Sequence, residues 1–342
     1  MRKIALFVAM LVATPLWAEF DGVTLTVHDS ERRVDVTIDG QAFTSYQWPA
    51  SLMKPVLYPL VVDGGVEVSR GYPLKPRDGE RTDHPHHAGM WFNYGNVNGF
   101  DLWNNSIAIP EANKSKMGIV REERIVSATS GQVGKLVVEA TWIGGDQKPL
   151  LREQTTLEFA HHGSIREITR TTILTALRDV VFHDDKEGLL GIRVARWLES
   201  PNEKGGIFRD ASGRETKVEG STGTGATGVY LTSEGKEGDA VWSTRGRWCV
   251  LNGHDPSGRT AAIAILDRPD NPGYPTYWHA RGYGLFAANP LGAHIFDPQA
   301  PQMDFKVAKG DSTTFRYRVL LSSKPLDATA MNTEADAFAK WP

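Results

Sequence analysis

Residues 34–46, VDVTIDGQAFTSY, contain the pattern that decides the fold class. Val34, Val36 and Ile38 alternate with polar residues, and this period of two is typical of a strand that buries one face. The Asp-Gly dipeptide at positions 39–40 predicts a tight hairpin turn, because both residue types tolerate the positive φ that such turns require. The segment therefore predicts two neighbouring antiparallel strands.

The same alternation, enriched in β-branched and aromatic residues, recurs along the rest of the chain. Strand-like stretches lie at residues 23–27, 135–143, 150–159, 165–173, 189–197, 247–251, 260–266 and 313–321. A helix is indicated at residues 333–340, which are rich in Ala and have Asn332 or Thr333 as the expected N-cap. Because strands do not alternate with helices, a doubly wound sheet is excluded. We predict an all-β protein: a large antiparallel β-sandwich with one short C-terminal helix.

Composition limits the classes of function. The chain has 342 residues, with 38 Lys and Arg against 41 Asp and Glu and a net charge of -3. This balance argues against the strongly basic surface of a nucleic-acid-binding protein, so no nucleic-acid partner is expected. Cys249 is the only cysteine, which excludes an internal disulfide and a cysteine-based zinc site. Its apolar neighbours predict a buried, unreactive thiol.

The N-terminal segment is expected to be a targeting signal and not part of the fold. Arg2 and Lys3 precede an apolar run that ends at Trp17, and Ala18 is the expected cleavage position of a signal peptide covering residues 1–18. No later run approaches the length of a membrane span, so the mature chain is expected to be periplasmic or secreted. We predict that residues 19–342 form a single β-sandwich domain with a polar, Gly-rich insertion at about 205–239.

The strongest chemical signal is Asp83-His84-Pro85-His86-His87. Because Pro85 disfavours helical backbone at the preceding residue, we predict an extended segment with His84 and His86 on one face and His87 on the other. Two imidazoles on one face can divide the roles of acid and base near neutral pH, or bind a metal ion. Asp83 could orient one of the rings.

Residues that suit a sugar follow this motif. The stretch 91–103 combines aromatic rings, which can pack on the C–H face of a sugar, with amides and carboxylates for its hydroxyls. The expected contacts here are Trp91, Asn98, Asp101 and Trp103.

Two later clusters could complete a site. Residues 183–188, HDDKEG, place Asp185, Lys186 and Glu187 just before a strand that carries Arg193. A Lys between carboxylates can act as a tuned proton donor or bind a hydroxyl. Residues 271–281 form a Pro- and Gly-containing loop that ends in Trp278-His279-Ala280-Arg281. If that end is extended, His279 and Arg281 share a face.

Together these motifs resemble a bacterial family catalogued as "methane oxygenase PmoA". The resemblance rests on DHPHH-x-G-x-WF at 83–92, G-x-VNG-x-D-x-W at 95–103, DKEG-x-x-G-x-R at 185–193, and NP followed by WH-x-R-x-YG at 271–284. It spans about residues 45–322. Ala88 departs from it, because many members carry Arg there, and substrate preference can differ if that Arg touches ligand. The resemblance implies a β-sandwich met among bacterial sugar-utilisation genes, with a shape similar to the mutarotase-type supersandwich.

These observations lead to one main hypothesis, a carbohydrate-active enzyme that acts on a small-molecule or oligosaccharide substrate. His84 or His86 would be the general acid or base, with Lys186 or Glu187 as its partner and His279 nearby. Glycoside cleavage, β-elimination and epimerisation all fit such a pair, and none requires a cofactor. The expected substrate contacts are Asp83, His87, Trp91, Asn98, Asp101, Trp103, Asp185, Arg193, Trp278 and Arg281.

Two alternatives remain open at this stage. In the first, His84, His86 and His279 bind Zn or Fe with one open position, which would make a hydrolytic or oxygen-using centre. In the second, the protein binds glycans without turning them over.

Overall fold

A computed structural model describes residues 22–201, 205–219 and 225–342. The predicted signal peptide, residues 1–18, lies outside these ranges. The first ten strands are β1 (Val23–His28), β2 (Arg33–Ile38), β3 (Gln41–Gln47), β4 (Val56–Leu57), β5 (Met90–Phe92), β6 (Ile119–Thr129), β7 (Gly134–Ile143), β8 (Pro149–His162), β9 (Ile165–Ala176) and β10 (Val180–Phe182). The next ten are β11 (Leu190–Arg193), β12 (Gly206–Arg209), β13 (Glu215–Val218), β14 (Val229–Thr232), β15 (Trp248–His254), β16 (Thr260–Asp267), β17 (Tyr277–Ala280), β18 (Leu285–Asn289), β19 (Phe305–Val307) and β20 (Ser312–Ser322). The α-helices are α1 (Ala293–Phe296) and α2 (Ala328–Lys340), and short 3-10 turns occur at Asp29–Glu31, Glu111–Lys116, Arg196–Leu198 and Gly238–Val241.

Two antiparallel sheets of eight strands form a sandwich, which confirms the predicted fold class. The first sheet has the order β1-β2-β3-β4-β5-β11-β18-β17, and the second has the order β14-β15-β16-β20-β9-β8-β7-β6. The hairpin predicted at 34–46 is present, because β2 pairs with β3 and Val36 lies opposite Thr44. The strand pairs β10-β19 and β12-β13 form two separate two-stranded sheets.

Strand β16 of the second sheet is buried on both faces, and its sequence shows why. In β16, Ala261, Ile263 and Ile265 pack into the core between the sheets. The alternate residues Ala262, Ala264 and Leu266 pack under α2 on the outer face. A strand covered on both sides has no polar face, so it is a continuous apolar run. Cys249 in the neighbouring strand is fully buried, as predicted.

The C-terminal helix begins earlier than predicted. It spans Ala328–Lys340, and its N-cap is Asp327, whose Oδ1 accepts the Ala330 N–H at 2.8 Å. The expected caps, Asn332 and Thr333, lie inside the helix. Asn332 instead accepts a hydrogen bond from the Trp248 indole at 2.9 Å. The cap prediction was wrong because Asp327 supplies the same side-chain acceptor five residues earlier.

The predicted insertion at about 205–239 contains three strands in the described parts. Strands β12 and β13 form a hairpin that packs beside Arg81, whose guanidinium lies 4.6 Å from the Phe208 ring centroid. Strand β14 is the edge of the second sheet and pairs with β15. No helix in the described residues is long and apolar enough to span a membrane.

Candidate functional site

The outer face of the first sheet carries most of the residues singled out from the sequence. Trp91 lies opposite Gly191, Gly191 opposite Ala287, and Ala287 opposite His279, so these four residues form one row across strands β5, β11, β18 and β17. Their chain neighbours, such as Trp278, face the inter-sheet core. The small residues in the middle of the row leave room for larger side chains to lie above the sheet.

Two indole rings fill that room. A Cβ added at Gly191 would lie 2.6 Å from Trp91 Cζ2 and 2.7 Å from Trp103 Cη2. The two rings pack edge to face, with centroids 4.9 Å apart, and both are almost fully buried. They form the floor of the candidate site.

The histidine motif is a turn and not the predicted extended segment. The His87 N–H bonds the His84 carbonyl oxygen at 2.9 Å, and His84 has a φ of 47°. Pro85 therefore occupies the second position of a tight turn, where its fixed φ is favourable. All three rings meet: the centroid distances are 5.0 Å for His84–His87, 5.6 Å for His84–His86 and 4.3 Å for His86–His87. The two-face prediction was wrong because the turn gathers the rings on one side.

A buried arginine holds this turn. Arg70 donates to the carbonyl oxygens of Asp83 at 2.8 Å, His84 at 2.9 Å and His87 at 2.9 Å. Arg193, on β11, donates to Asp83 Oδ1 at 2.7 Å. Burial alone would raise the pKa of Asp83, but the hydrogen bond from His84 and the charges of Arg193 and Arg70 outweigh it and lower the pKa. Asp83 is therefore an ionised anchor between two guanidinium groups.

His87 lies between two donors. Arg193 Nη1 is 3.1 Å from His87 Nδ1, and the Trp103 indole N–H is 3.2 Å from His87 Nε2. A neutral imidazole has one acceptor nitrogen, so only one of these contacts can be a full hydrogen bond. Burial and the positive charges nearby lower the pKa of His87 well below its ordinary value. This ring is thus a neutral, buried support for the turn.

His84 is the accessible member of the motif. Its ring stacks on the Tyr283 ring, with centroids 5.4 Å apart and planes 7° apart, and its other face lies toward His87. Its side chain is 41% exposed, and its Nδ1 is 3.2 Å from Asp83 Oδ1. Arg193 lies over the Tyr283 ring, with its guanidinium carbon 4.9 Å from the ring centroid. His84 can therefore present a ring nitrogen to a ligand while Asp83 orients it.

A second histidine group lies at the end of the row. His279 is almost fully buried, and its Nδ1–H donates to the Lys186 carbonyl oxygen at 2.8 Å. Glu187 Oε2 is 3.8 Å from the same nitrogen, and the Lys186 ammonium pairs with the Glu187 carboxylate. Burial and the charge of Arg281 lower the pKa of His279 to about 3. At neutral pH the ring is uncharged and keeps its lone pair on Nε2.

Arg281 and His279 share one neighbour, the ring of Trp242. The Arg281 guanidinium carbon lies 3.4 Å from the Trp242 ring centroid, and the His279 ring meets Trp242 edge to face at 4.7 Å. Burial lowers the pKa of Arg281, and the charge of Glu187 opposes that shift. Burial raises the pKa of Tyr283 against the charge of Arg193, and the charge of Glu187 adds to the rise. Tyr283, which stacks on His84, therefore also lies within the electrostatic reach of Glu187.

The described residues do not form a metal cage. No group of three or more His, Cys, Asp and Glu side chains among them is arranged to hold a metal ion. His84, His86 and His279, the expected ligands of Zn or Fe, belong to two groups at different places on the sheet face. The metal hypothesis stays a prediction to be checked by metal analysis.

Comparison with known proteins identifies the family. The model of DUF6807, described as a family of unknown function, matches residues 33–336. The chain belongs to DUF6807. No curated protein matches its sequence. The resemblance to the PmoA-like family therefore stays a prediction for this DUF6807 member.

Several solved structures match this chain at low similarity. Slr1438 from Synechocystis sp. PCC 6803 has 9% identity and a TM-score of 0.35, with 94% of this chain and 100% of that chain covered. The GH36 α-galactosidase AgaB from Geobacillus stearothermophilus has 11% identity and a TM-score of 0.41, with 89% of this chain and 42% of that chain covered. A putative aldose 1-epimerase from Escherichia coli K12 has 10% identity and a TM-score of 0.35, with 88% of this chain and 98% of that chain covered. At these TM-scores the likenesses carry no argument about the chemistry of the DUF6807 protein.

Several predicted contacts of this DUF6807 protein need correction. Trp278 is fully buried in the inter-sheet core, so it cannot stack on a ligand at the outer face. Trp91 and Trp103 lie beneath the histidine turn and offer no free ring face. Asn98 is committed to the backbone, because its amide donates to Asp179 O at 2.9 Å and accepts from Val181 N at 2.7 Å.

Two predicted carboxylates of the DUF6807 site stabilise loops. Asp101 accepts hydrogen bonds from the backbone and side chain of Asn104 at 2.9 and 2.8 Å. Asp185 Oδ1 accepts the Glu187 N–H at 2.9 Å, and burial raises the pKa of Asp185. Both shape the loops around Glu187.

Four residues of the DUF6807 site were missed from the sequence: Lys54, Arg70, Trp242 and Tyr283. Lys54 carried a usable signal, because it is a single charge within the apolar and Pro-rich stretch 48–60. Tyr283 belongs to the motif WH-x-R-x-YG within 271–284, and this motif is the signal that could have identified it. Nothing local distinguishes Arg70, since its role depends on carbonyl groups 11 to 17 positions away.

Proposed function

We propose that this DUF6807 protein is an exported, carbohydrate-active enzyme that transfers a proton on a sugar by acid–base catalysis. The observation that carries the proposal is the pair formed by His279 and Glu187 at the edge of the outer sheet face. A neutral imidazole with one nitrogen fixed by a carbonyl has its other nitrogen free for proton transfer. A carboxylate 3.8 Å from the fixed nitrogen stabilises the ring when it gains a proton.

The surrounding groups suit a polyhydroxylated ligand. Arg281 and Tyr283 lie near Glu187, and the exposed ring of His84 stacks on Tyr283. All three side chains can donate to hydroxyl or carbonyl oxygens. Lys186 adds a side chain that is 46% exposed beside the carboxylate. We assign Arg281 and His84 to binding of substrate oxygens, and Glu187 and His279 to proton transfer.

Epimerisation or β-elimination fits this arrangement better than glycoside cleavage. Cleavage in most glycosidases uses two carboxyl groups that flank the glycosidic bond. The second carboxylate here, Asp185, is committed to the Glu187 N–H and lies on the same loop. Proton removal next to a carbonyl instead needs one base and a group that holds the adjacent oxygen, roles that His279 and Arg281 can fill.

The test is a solvent-exchange assay. The protein, purified without the first 18 residues or a His tag, is incubated with aldoses, ketoses and 3-keto-glycosides in D₂O. NMR then follows deuterium entry at carbon and any new epimer or alkene. We expect exchange that is lost in His279→Gln and Glu187→Gln and kept in the surface control His161→Gln. Sugar binding without exchange or product in any sample would favour the glycan-binding hypothesis and overturn the enzymatic one.

Export needs a separate measurement. N-terminal sequencing of the protein from the periplasm or medium should begin at Glu19. A chain that retains Met1 in the cytoplasm would contradict that part of the proposal.

A further inference from the structure

Lys54 is a buried amine with few partners. Its side chain is 3% exposed, and its Nζ donates to the Trp103 carbonyl oxygen at 3.0 Å and lies 5.2 Å from the Trp91 ring centroid. No ion pair joins it to a carboxylate in the described part of the chain. One acceptor leaves two N–H positions unused, which is unusual for an ammonium group removed from water.

The environment of Lys54 favours the neutral amine. Burial lowers its pKa to about 7, although the charges of Asp101 and Glu187 oppose this shift. A neutral amine is a nucleophile, whereas an ammonium group is not. At neutral pH about half of Lys54 is therefore in the neutral form that attacks carbonyl carbon.

Lys54 borders a groove. The groove has a volume of about 380 Å³, and its lining residues include Lys54, Trp48 and Arg121. On its other side, Lys54 borders a small cleft together with His86 and Asn105. The buried Nε2 of His86 has no hydrogen-bond partner. Lys54 and His86, whose side-chain nitrogens are both short of partners, thus border one cleft beside the groove.

We propose that Lys54 forms an imine with the carbonyl carbon of an aldehyde- or keto-sugar that enters through this groove, and that His86 moves the protons of that step. The sugar as ligand rests on the proposed function, whereas the amine chemistry does not.

The step is balanced with one proton from the solvent. The Lys54 lone pair forms a bond to the carbonyl carbon, and the carbonyl oxygen takes up the proton released from nitrogen through His86. His86 then relays a solvent proton to the resulting hydroxyl, which leaves as water while the nitrogen lone pair forms the carbon–nitrogen double bond. The nitrogen keeps its remaining hydrogen, so the product is the protonated imine. The protonated imine then withdraws electrons from the neighbouring C–H bond, which makes that proton easier to remove.

The test traps the imine in the wild-type protein. Glycolaldehyde is the probe, sodium cyanoborohydride delivers hydride to the imine carbon, and peptide mass mapping locates the secondary amine. Lys309 is exposed and serves as the internal reference. At neutral pH we expect Lys54 to be labelled about a hundredfold faster than Lys309, because burial lowers the pKa of the Lys54 amine and leaves far more of it neutral than in an ordinary exposed lysine. Equal rates, or faster labelling of Lys309, would overturn the proposal.

Variants then separate the two roles. Lys54→Met should remove the fast-labelled site, and the matched control Lys309→Met should keep it. His86→Gln should slow labelling of Lys54 about tenfold or more and leave Lys309 unchanged. An unchanged rate at Lys54 in a folded His86→Gln protein would refute the part assigned to His86.

The labelling result is independent of turnover. Rapid labelling of Lys54 in a protein that exchanges no sugar protons would reject the proposed function and keep this inference. Sugar exchange that depends on His279, without labelling of Lys54, would support the proposed function and reject this inference.

Discussion

His279 donates its Nδ1–H to the backbone carbonyl oxygen of Lys186, and the two atoms are 2.8 Å apart. Because a carbonyl oxygen can only accept, this contact fixes the tautomer and leaves the lone pair on Nε2. It also ties strand β17 to the loop that carries Glu187. The relationship determines where a proton can be received in the site.

The first prediction concerns that nitrogen. His279→Gln keeps a side-chain amide that can donate to the Lys186 carbonyl but loses the basic nitrogen. We expect kcat for sugar proton exchange to fall about 10²- to 10⁴-fold, with little change in KM. The measurement is a steady-state exchange rate by NMR. A variant with wild-type kcat would show that His279 is not the base.

The second prediction concerns stability against pH. Burial and the charge of Arg281 lower the pKa of His279 to about 3 in the folded protein. Below the ordinary pKa of about 6.5, the unfolded chain binds a proton that the folded chain does not. The contribution of His279 to the free energy of unfolding is therefore complete above about pH 6.5 and is lost as the pH falls toward 3.

Urea unfolding can measure this contribution. Between about pH 7.5 and pH 5, wild-type protein should lose about 2 kcal/mol more unfolding free energy than His279→Gln, which cannot titrate. If the unfolding free energies of the two proteins change equally with pH, the folded-state pKa of His279 is not lowered.

The third prediction concerns the support of the histidine turn. Arg70→Lys keeps the charge but cannot reach the carbonyl oxygens of Asp83, His84 and His87 at the same time. We expect a loss of about 3 kcal/mol in the free energy of unfolding, because buried carbonyls and the Asp83 carboxylate lose a partner. The control is Arg214→Lys, at an exposed position, which should change stability by less than about 0.5 kcal/mol.

The fourth prediction tests the packing of the floor. In Gly191→Ala the new methyl group would meet Trp91 Cζ2 at 2.6 Å and Trp103 Cη2 at 2.7 Å. We expect a loss of about 1–3 kcal/mol from overpacking. Trp103→Phe removes one of the two clashing atoms, so the double variant should be less destabilised than the sum of the single variants. Simple additivity would show that Trp103 does not press on this position.

The fifth prediction separates the acid–base and metal hypotheses. Since the described residues present no group of three ligands, we expect sugar exchange to survive dialysis against EDTA. Plasma mass spectrometry of the untagged protein gives the metal content. One Zn or Fe per chain, lost together with activity in a His84→Ala/His86→Ala double variant, would establish the metalloenzyme.

Strand patterns were predictable wherever one periodicity or an apolar run dominated. The hairpin at 34–46 and the apolar strand at 260–266 lie where the sequence indicated. Strand β6 was missed, because it is an exposed edge strand whose sequence, IVREERIVSAT, is mostly charged or polar. An edge strand with little burial lacks the apolar alternation on which such predictions depend.

The sequence by itself determined the all-β class and the identity of most chemically important residues. Hydrophobic alternation and Gly-rich turns are enough to predict the all-β class. Unusual clusters of His, Lys and carboxylates are enough to identify most of the chemically important residues. The tertiary structure decided which of these residues meet. It set Trp91 and His279 in one row, closed the histidines into a turn on Arg70, and buried Lys54 beside His86. Local sequence cannot specify such contacts, because the register between strands far apart in the chain is set by packing of the whole sandwich.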